Sequence, residues 1–280
     1  MIFDAHLRAH GLAARDVADL RWFGVEGVLC PTTDAVAPVT AVRLRRSWEQ
    51  LVGRTLPRLR RAGLAAYAAL GVPPACIPWR GLEALLADLP DLLSRPGVVA
   101  IGPVGLERAT EREEMVFARQ LDMARELRLP VLVHTPARDK VRLTRRALAM
   151  LLASGADARR VLVDHADART VRIIRAVGFG AVISLSAGGR SGRGAVEEAA
   201  ALVRALGPEG IALASDAGEG LGDLLALPRV ADRMEKLGLS DAVIRRVCGR
   251  NALDALRLDP AEVRGLAGGS TARSGRPPSP

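Results

Sequence analysis

Eight short apolar runs, each followed by a longer segment of helical character, constrain this chain more than anything else in it. They lie at Ile2–His6, Gly24–Pro31, Gly63–Val72, Val98–Gly105, Val131–His134, Val161–His165, Ala181–Ser186 and Ile211–Ser215. The runs are rich in Val, Ile and Leu and lack polar alternation, as strands covered on both faces do. The intervening segments have helical period. In Glu111–Arg128, for example, Thr110 and Glu113 form a capping-box pattern, and Phe117, Leu121, Ala124 and Leu127 share one face. Pro130 then marks the entry to the next strand. Eight strands alternating with helices predict an α/β fold, a single-domain (β/α)8 TIM barrel over residues 1–258. A doubly wound open sheet would usually place a Gly-rich loop after the first strand, where this chain has "HLRAHG". Residues 259–280 are small, polar and rich in Pro and Gly, and are expected to be a disordered C-terminal tail.

The length of 280 residues suits one such barrel, since the fold typically takes ~250. Aromatic residues make up only 3%, so the core is expected to rest on Leu, Val, Ile and Ala. A net charge of +9 invites a nucleic-acid partner. Against that, Arg54, Arg58 and Arg61 in the densest basic run fall on one helical face, the pattern of a solvated surface, so nucleic acid is possible but not favoured. Cys30, Cys76 and Cys248 are isolated, with no disulfide or zinc-ribbon spacing, which fits a reducing cytoplasm. Asp4 and His6 stand where a signal peptide would need apolar residues. No apolar run approaches the ~20 residues of a membrane helix, so no membrane insertion is expected.

The barrel prediction gives the histidines meaning, because barrel chemistry sits at the C-terminal ends of the strands. Of four histidines, His6, His134 and His165 close the first, fifth and sixth runs, and His10 lies just beyond the first. Asp216 closes the last. Imidazoles and a carboxylate converging from opposite walls suit a divalent metal, zinc foremost. The bland alternative is a set of polar caps on buried strands. "SAGGRSGRG", Ser186–Gly194, follows the seventh run, where barrels often cradle phosphate, and Arg190 and Arg193 would add charged donors there. Lys140, one of two lysines in the chain, is a further candidate anion contact.

The runs "VVAIGPVGLE", "FARQLDMARELRLPVLVHTPARDK", "VLVDHAD", "GFGAVISLS" and "LASDAGEG" occur in the order found in TatD-like metal-dependent hydrolases of the amidohydrolase superfamily. The His-Thr-Pro and Ser-Asp-Ala-Gly runs resemble a branch described as predicted TIM-barrel metal-dependent hydrolases. The resemblance covers nearly all of residues 1–257. It implies metal ligands at His6, His134, His165 and Asp216. Two positions depart from the family pattern. Arg8 stands in place of the second histidine of a His-x-His pair, and Pro103 in place of a bridging Glu. Proline has no donor with which to bridge two cations, and a guanidinium repels one, so at most one ion is expected. His10 and Glu107 are possible substitute ligands.

Two functions remain open. The first is a hydrolase in which one metal ion activates water, Asp216 accepts the proton, and a phosphoester, amide or ester bond of an anionic small molecule is broken. Arg8, Lys140, Arg190 and Arg193 would hold that substrate. The second is a degenerate barrel that binds a phosphorylated small molecule or a partner protein without turnover.

Overall fold

The eight runs fold as eight strands: β1 Ile2–Asp4, β2 Val25–Pro31, β3 Ala65–Leu70, β4 Val98–Gly105, β5 Val131–His134, β6 Val161–Val163, β7 Gly180–Ser184 and β8 Ile211–Ala214. All ladders are parallel and neighbours follow chain order, as in a (β/α)8 barrel. The computed structural model describes residues 1–33, 39–186, 193–218 and 222–268.

The ring closes between β8 and β1 by two devices. Beyond the strands, Leu7 and Ala217 form an isolated parallel bridge, the Arg8 N–H donates to Ala217 O at 2.8 Å, and the Asp216 N–H donates to His6 O at 2.9 Å. Below that bridge a side chain does the joining. Asp4 is buried, and its Oδ1 accepts from the Ser215 N–H at 3.0 Å and the His6 N–H at 3.1 Å. Its Oδ2 accepts from the Ser215 hydroxyl at 2.5 Å. Burial pushes the Asp4 carboxyl up to about 6, against the hydrogen bonds from Ser215 and His6.

Two apolar layers follow from strands covered on both faces. Inside the barrel, Phe3, Leu29, Tyr67, Leu132, Leu162 and Val182 pack among alanines. Outside, alternate strand residues such as Val28, Val104, Val133 and Val163 meet the helices through Leu, Val and Ala. The sparse aromatic content is consistent with an interior filled mainly by Ala, Leu and Val.

Two expectations need correction. Residues 260–268 are not a disordered tail but a helix, Pro260–Gly268. Val263 is fully buried on that helix, against Phe3 and the bare backbone of Gly27, where a Cβ would lie 2.9 Å from Val263 Cγ1. Burying one such side chain contributes roughly 1.5 kcal/mol or more, enough to dock a short segment that composition alone marked as loose. Residues 269–280 lie outside the described residues. The arginine-rich helix is also not merely solvated: the Arg58 guanidinium donates to Leu12 O at 2.7 Å and Ala9 O at 3.1 Å, tying down the loop after β1.

Candidate metal centre

Barrel geometry brings His6, Asp164 and His165 together at the C-terminal mouth. Each offers one ligating atom, and these atoms all lie within 4.8 Å of one another. That is close to the reach of two metal–ligand bonds of ~2.0–2.2 Å sharing one ion. The set is two imidazoles and one carboxylate, a donor chemistry that fits a divalent transition ion. Three protein ligands make an incomplete shell, as a catalytic rather than a structural ion requires.

Local structure explains how a barrel of short strands delivers these groups. His165 and Asp216 both sit two residues past their strands with left-handed backbone, at φ 57° and 50°. That conformation costs an L-residue roughly 1–2 kcal/mol and tends to persist where a site needs it.

Asp164 is the hub. Its Oδ2 lies 2.5 Å from His6 Nδ1, and its Oδ1 accepts from the His165 N–H at 2.7 Å and the Ser184 hydroxyl at 2.9 Å. Its carbonyl accepts from the Thr135 hydroxyl at 2.7 Å. Burial would raise the Asp164 carboxyl, but the two flanking imidazoles hold it well below the usual carboxylate range. Burial likewise favours neutral His6, yet Asp164 and then Asp216 outweigh it and lift the imidazole to about 9. For His165 burial prevails, drawing it down to about 4.

Of the four ligands expected from the sequence, His6 and His165 fall in the three-residue group, and Asp216 and His134 stand beside it. His6 and His165 meet, but the carboxylate between them is Asp164. Asp216 lies beside both, with Oδ1 3.4 Å from His6 Nε2 and Oδ2 3.8 Å from His165 Nδ1. The Arg8 Nε–H donates to Asp216 Oδ1 at 3.0 Å, so the residue replacing the second histidine neutralises the acid next to it. The His134 ring stands edge-on to His165, with centroids 5.3 Å apart, and its Nε2 is 3.0 Å from Glu107 Oε2. The hydrogen bond from His134 lowers the Glu107 carboxyl despite its partial burial. His10 stays apart, 3.4 Å from the Thr55 hydroxyl. Pro103 follows Gly102 through a cis peptide in β4, and the β4–β5 pairing slips between Ile101 and Val104, as a residue without an N–H requires.

Glu107 is fixed from behind by Glu113. Thr110 caps its helix as expected, accepting from the Glu113 N–H at 3.2 Å. The Glu113 carboxylate, however, turns to the loop and accepts the N–H groups of Glu107, Arg108 and Ala109 at 2.8–2.9 Å.

A cavity of about 680 Å³ opens onto these groups, with Arg8, His134, Lys140, His165, Arg169 and Asp216 on its wall. A smaller cavity of about 140 Å³ near Leu129 and Asp157 contains none of them. Arg190 lies outside the described residues, and so does the side chain of Arg193, which begins the helix Arg193–Leu206.

A closed parallel barrel with a partial His-His-Asp cluster at its mouth defines a metal-dependent hydrolase fold of the amidohydrolase kind. The chain belongs to the TatD related DNase family, whose model matches residues 3–217. An uncharacterised metal-dependent hydrolase of Methanocaldococcus jannaschii is 29% identical over 258 residues, covering 92% of this chain and 100% of that protein. The TatD-like protein of Archaeoglobus fulgidus is 25% identical, with a TM-score of 0.75 over 91% of this chain and 100% of that one. The fold is also that of the phosphotriesterase homology protein of Escherichia coli, solved with phosphate in its active site. The TM-score there is 0.67 at 18% identity, over 92% of this chain and 98% of that one.

Proposed function

We propose that this protein is a single-ion hydrolase of anionic small molecules, with zinc as the ion. The observation that carries the reading is the cluster of His6, Asp164 and His165, supported by the cavity beside it, which Lys140 lines. A divalent ion held there would supply a Lewis acid and lower the pKa of the attacking water.

The chain's own residues divide the remaining work. Ser184 and Asp164 fix the orientation of the His165 ring, which favours a pre-set ligand over one recruited from solvent. Asp216 offers Oδ2 as the proton acceptor while Arg8 occupies Oδ1 and holds the carboxylate in place. Lys140 faces the cavity as a cation for the substrate. Among the described residues no helix is long and apolar enough to cross a membrane. The three free, buried thiols suit a reducing compartment such as the cytoplasm.

Binding without turnover is the second reading, favoured by the bond between Arg8 and the expected general base. Zinc titration of chelator-stripped protein, followed by assays on phosphoester, carboxyl ester and amide substrates, separates the two. The hydrolase reading expects one equivalent of zinc per chain, lost in Asp164→Asn, and turnover only when loaded. Absence of a tight equivalent defeats the metal site. One equivalent without turnover on any of the three bond types leaves the binder.

A further inference from the structure

Lys140 is the one cation on the cavity wall that the described residues leave without an ion pair. Its side chain is only 7% exposed. Its ammonium donates to the Thr135 hydroxyl at 3.2 Å and to Pro136 O at 3.3 Å, both neutral acceptors. Among the described residues no carboxylate lies within the 4.0 Å of an ion pair; Asp167, Asp164 and Glu107 act on it only from farther away. Arg169, on the same wall, is by contrast held bidentately by Asp167 at 2.9 and 2.7 Å. Lysine is seldom buried without a counter-charge, because desolvation of an ammonium is costly. A buried, unpaired ammonium with a third donor left over, facing a cavity, is the chemistry of an anion subsite.

The wall elsewhere is of another kind. Ala166, Ile183, Ala199 and Leu202 present apolar surface to the same cavity, with Glu198 the one carboxylate among them. Three of these four are buried, as they would be in a core, yet they border open space. The volume falls within the ~300–1,000 Å³ of pockets that enclose small ligands.

We propose that the cavity takes a small amphipathic oxyanion, with its charged oxygens on Lys140 and its apolar body against Ile183, Ala199 and Leu202. The placement rests on the reading of this cavity as the active site, and it narrows the substrate from any anion to one carrying an apolar group. Lys140 is linked to the backbone of Asp164 through one hydroxyl, since Thr135 accepts from Lys140 and donates to the Asp164 carbonyl. The oxyanion on Lys140 therefore shares one cavity with His165 and Asp216.

Calorimetric titration of metal-free protein with inorganic phosphate, acetate, phenyl phosphate and benzoate tests this without any need for activity. Phosphate or acetate should bind the wild type, and the better of the two identifies the oxyanion class. Its aromatic counterpart should bind at least tenfold more tightly. Lys140→Gln and Lys140→Met should each weaken the anion at least tenfold, two variants guarding against a folding defect in either, with circular dichroism as the check. Leu202→Ser should erase the aromatic gain and leave the parent anion unchanged. Unaltered anion affinity in both Lys140 variants, no aromatic gain, or no anion binding by the wild type would each overturn the proposal. Zinc affinity, measured separately, reports on the hydrolase reading: its loss in Asp164→Asn is independent of the anion result.

Discussion

The β8–β1 seam and the β4–β5 wall face each other across the same mouth, and they are built differently. On the seam, Asp4, His6, Asp216 and Arg8 are buried or largely so and bonded to one another within 3.0–3.4 Å, and His6 reaches Asp164, beyond β6, at 2.5 Å. On the wall, Glu107 and His134 form a single contact at 3.0 Å, with side chains 37% and 21% exposed. The two departures from the family pattern fall one on each side. Arg8, on the seam, is absorbed into the network by its bond to Asp216. Pro103, on the wall, leaves a strand without a carboxylate, and the acid beside His134 comes four residues later. The seam is thus densely bonded and preorganised, whereas the paired side chains on the wall are more exposed, although Glu113 holds the Glu107 backbone.

The sharpest way to break this contrast is to remove one imidazole from the cluster that His6 joins and one from the wall. His165→Ala deletes a member of the three-residue cluster and should weaken zinc binding on the order of a thousandfold, about 4 kcal/mol. His134→Ala removes a neighbour and should stay within the ~10–100-fold of an outer partner. Competition titration against a chromogenic chelator measures both. Equal losses would place His134 among the ligands and dissolve the distinction between the two sides.

A step down in size is the stability of the seam. Asp4→Ala leaves the Ser215 N–H and hydroxyl without their acceptor in a buried site, and should cost about 3 kcal/mol in urea unfolding. The charge itself works the other way. A carboxyl raised by burial to about 6 binds its proton more tightly folded than unfolded. Its contribution to stability is therefore full below about pH 4 and declines as pH rises toward 6. Asp4→Asn should remove that decline. A variant whose pH profile still falls over the same window would mean that another group carries it.

What the sequence disclosed follows the same division. The barrel was readable because the strands are mostly apolar runs, broken only by single acids such as Asp4 and Glu26, and His6, His165 and Asp216 were readable because each ends one. Asp164 was not, although it precedes His165 directly: an acid closing a buried run reads equally as a polar cap, and only its bond to His6, 158 residues away, shows it to be the hub. The pairing of Arg8 with Asp216 spans 208 residues and has no local signal at all. Glu113 was visible as half of a capping box, but a carboxylate can serve the loop before its helix as well as the cap, and here it serves the loop. Val263 was hidden by the glycines around it.

The smallest effect expected is on the wall, and it is the more telling for being small. Glu107→Gln removes the charge beside His134 while keeping an acceptor at nearly the same place. The hydrogen bond from His134 sets the Glu107 carboxyl below its ordinary value, so ionised Glu107 favours the folded state. That contribution is present above the unfolded carboxylate pKa of ~4.3 and is lost as pH falls through the lowered folded value. More than a third of the side chain is exposed, so solvent screens the pair and the contribution at pH 7 should be below about 1 kcal/mol. Urea unfolding at pH 7 and pH 3 should show wild type and Glu107→Gln differing slightly at the higher pH and coinciding at the lower. A loss as large as that of Asp4→Ala would show that the wall is held as firmly as the seam.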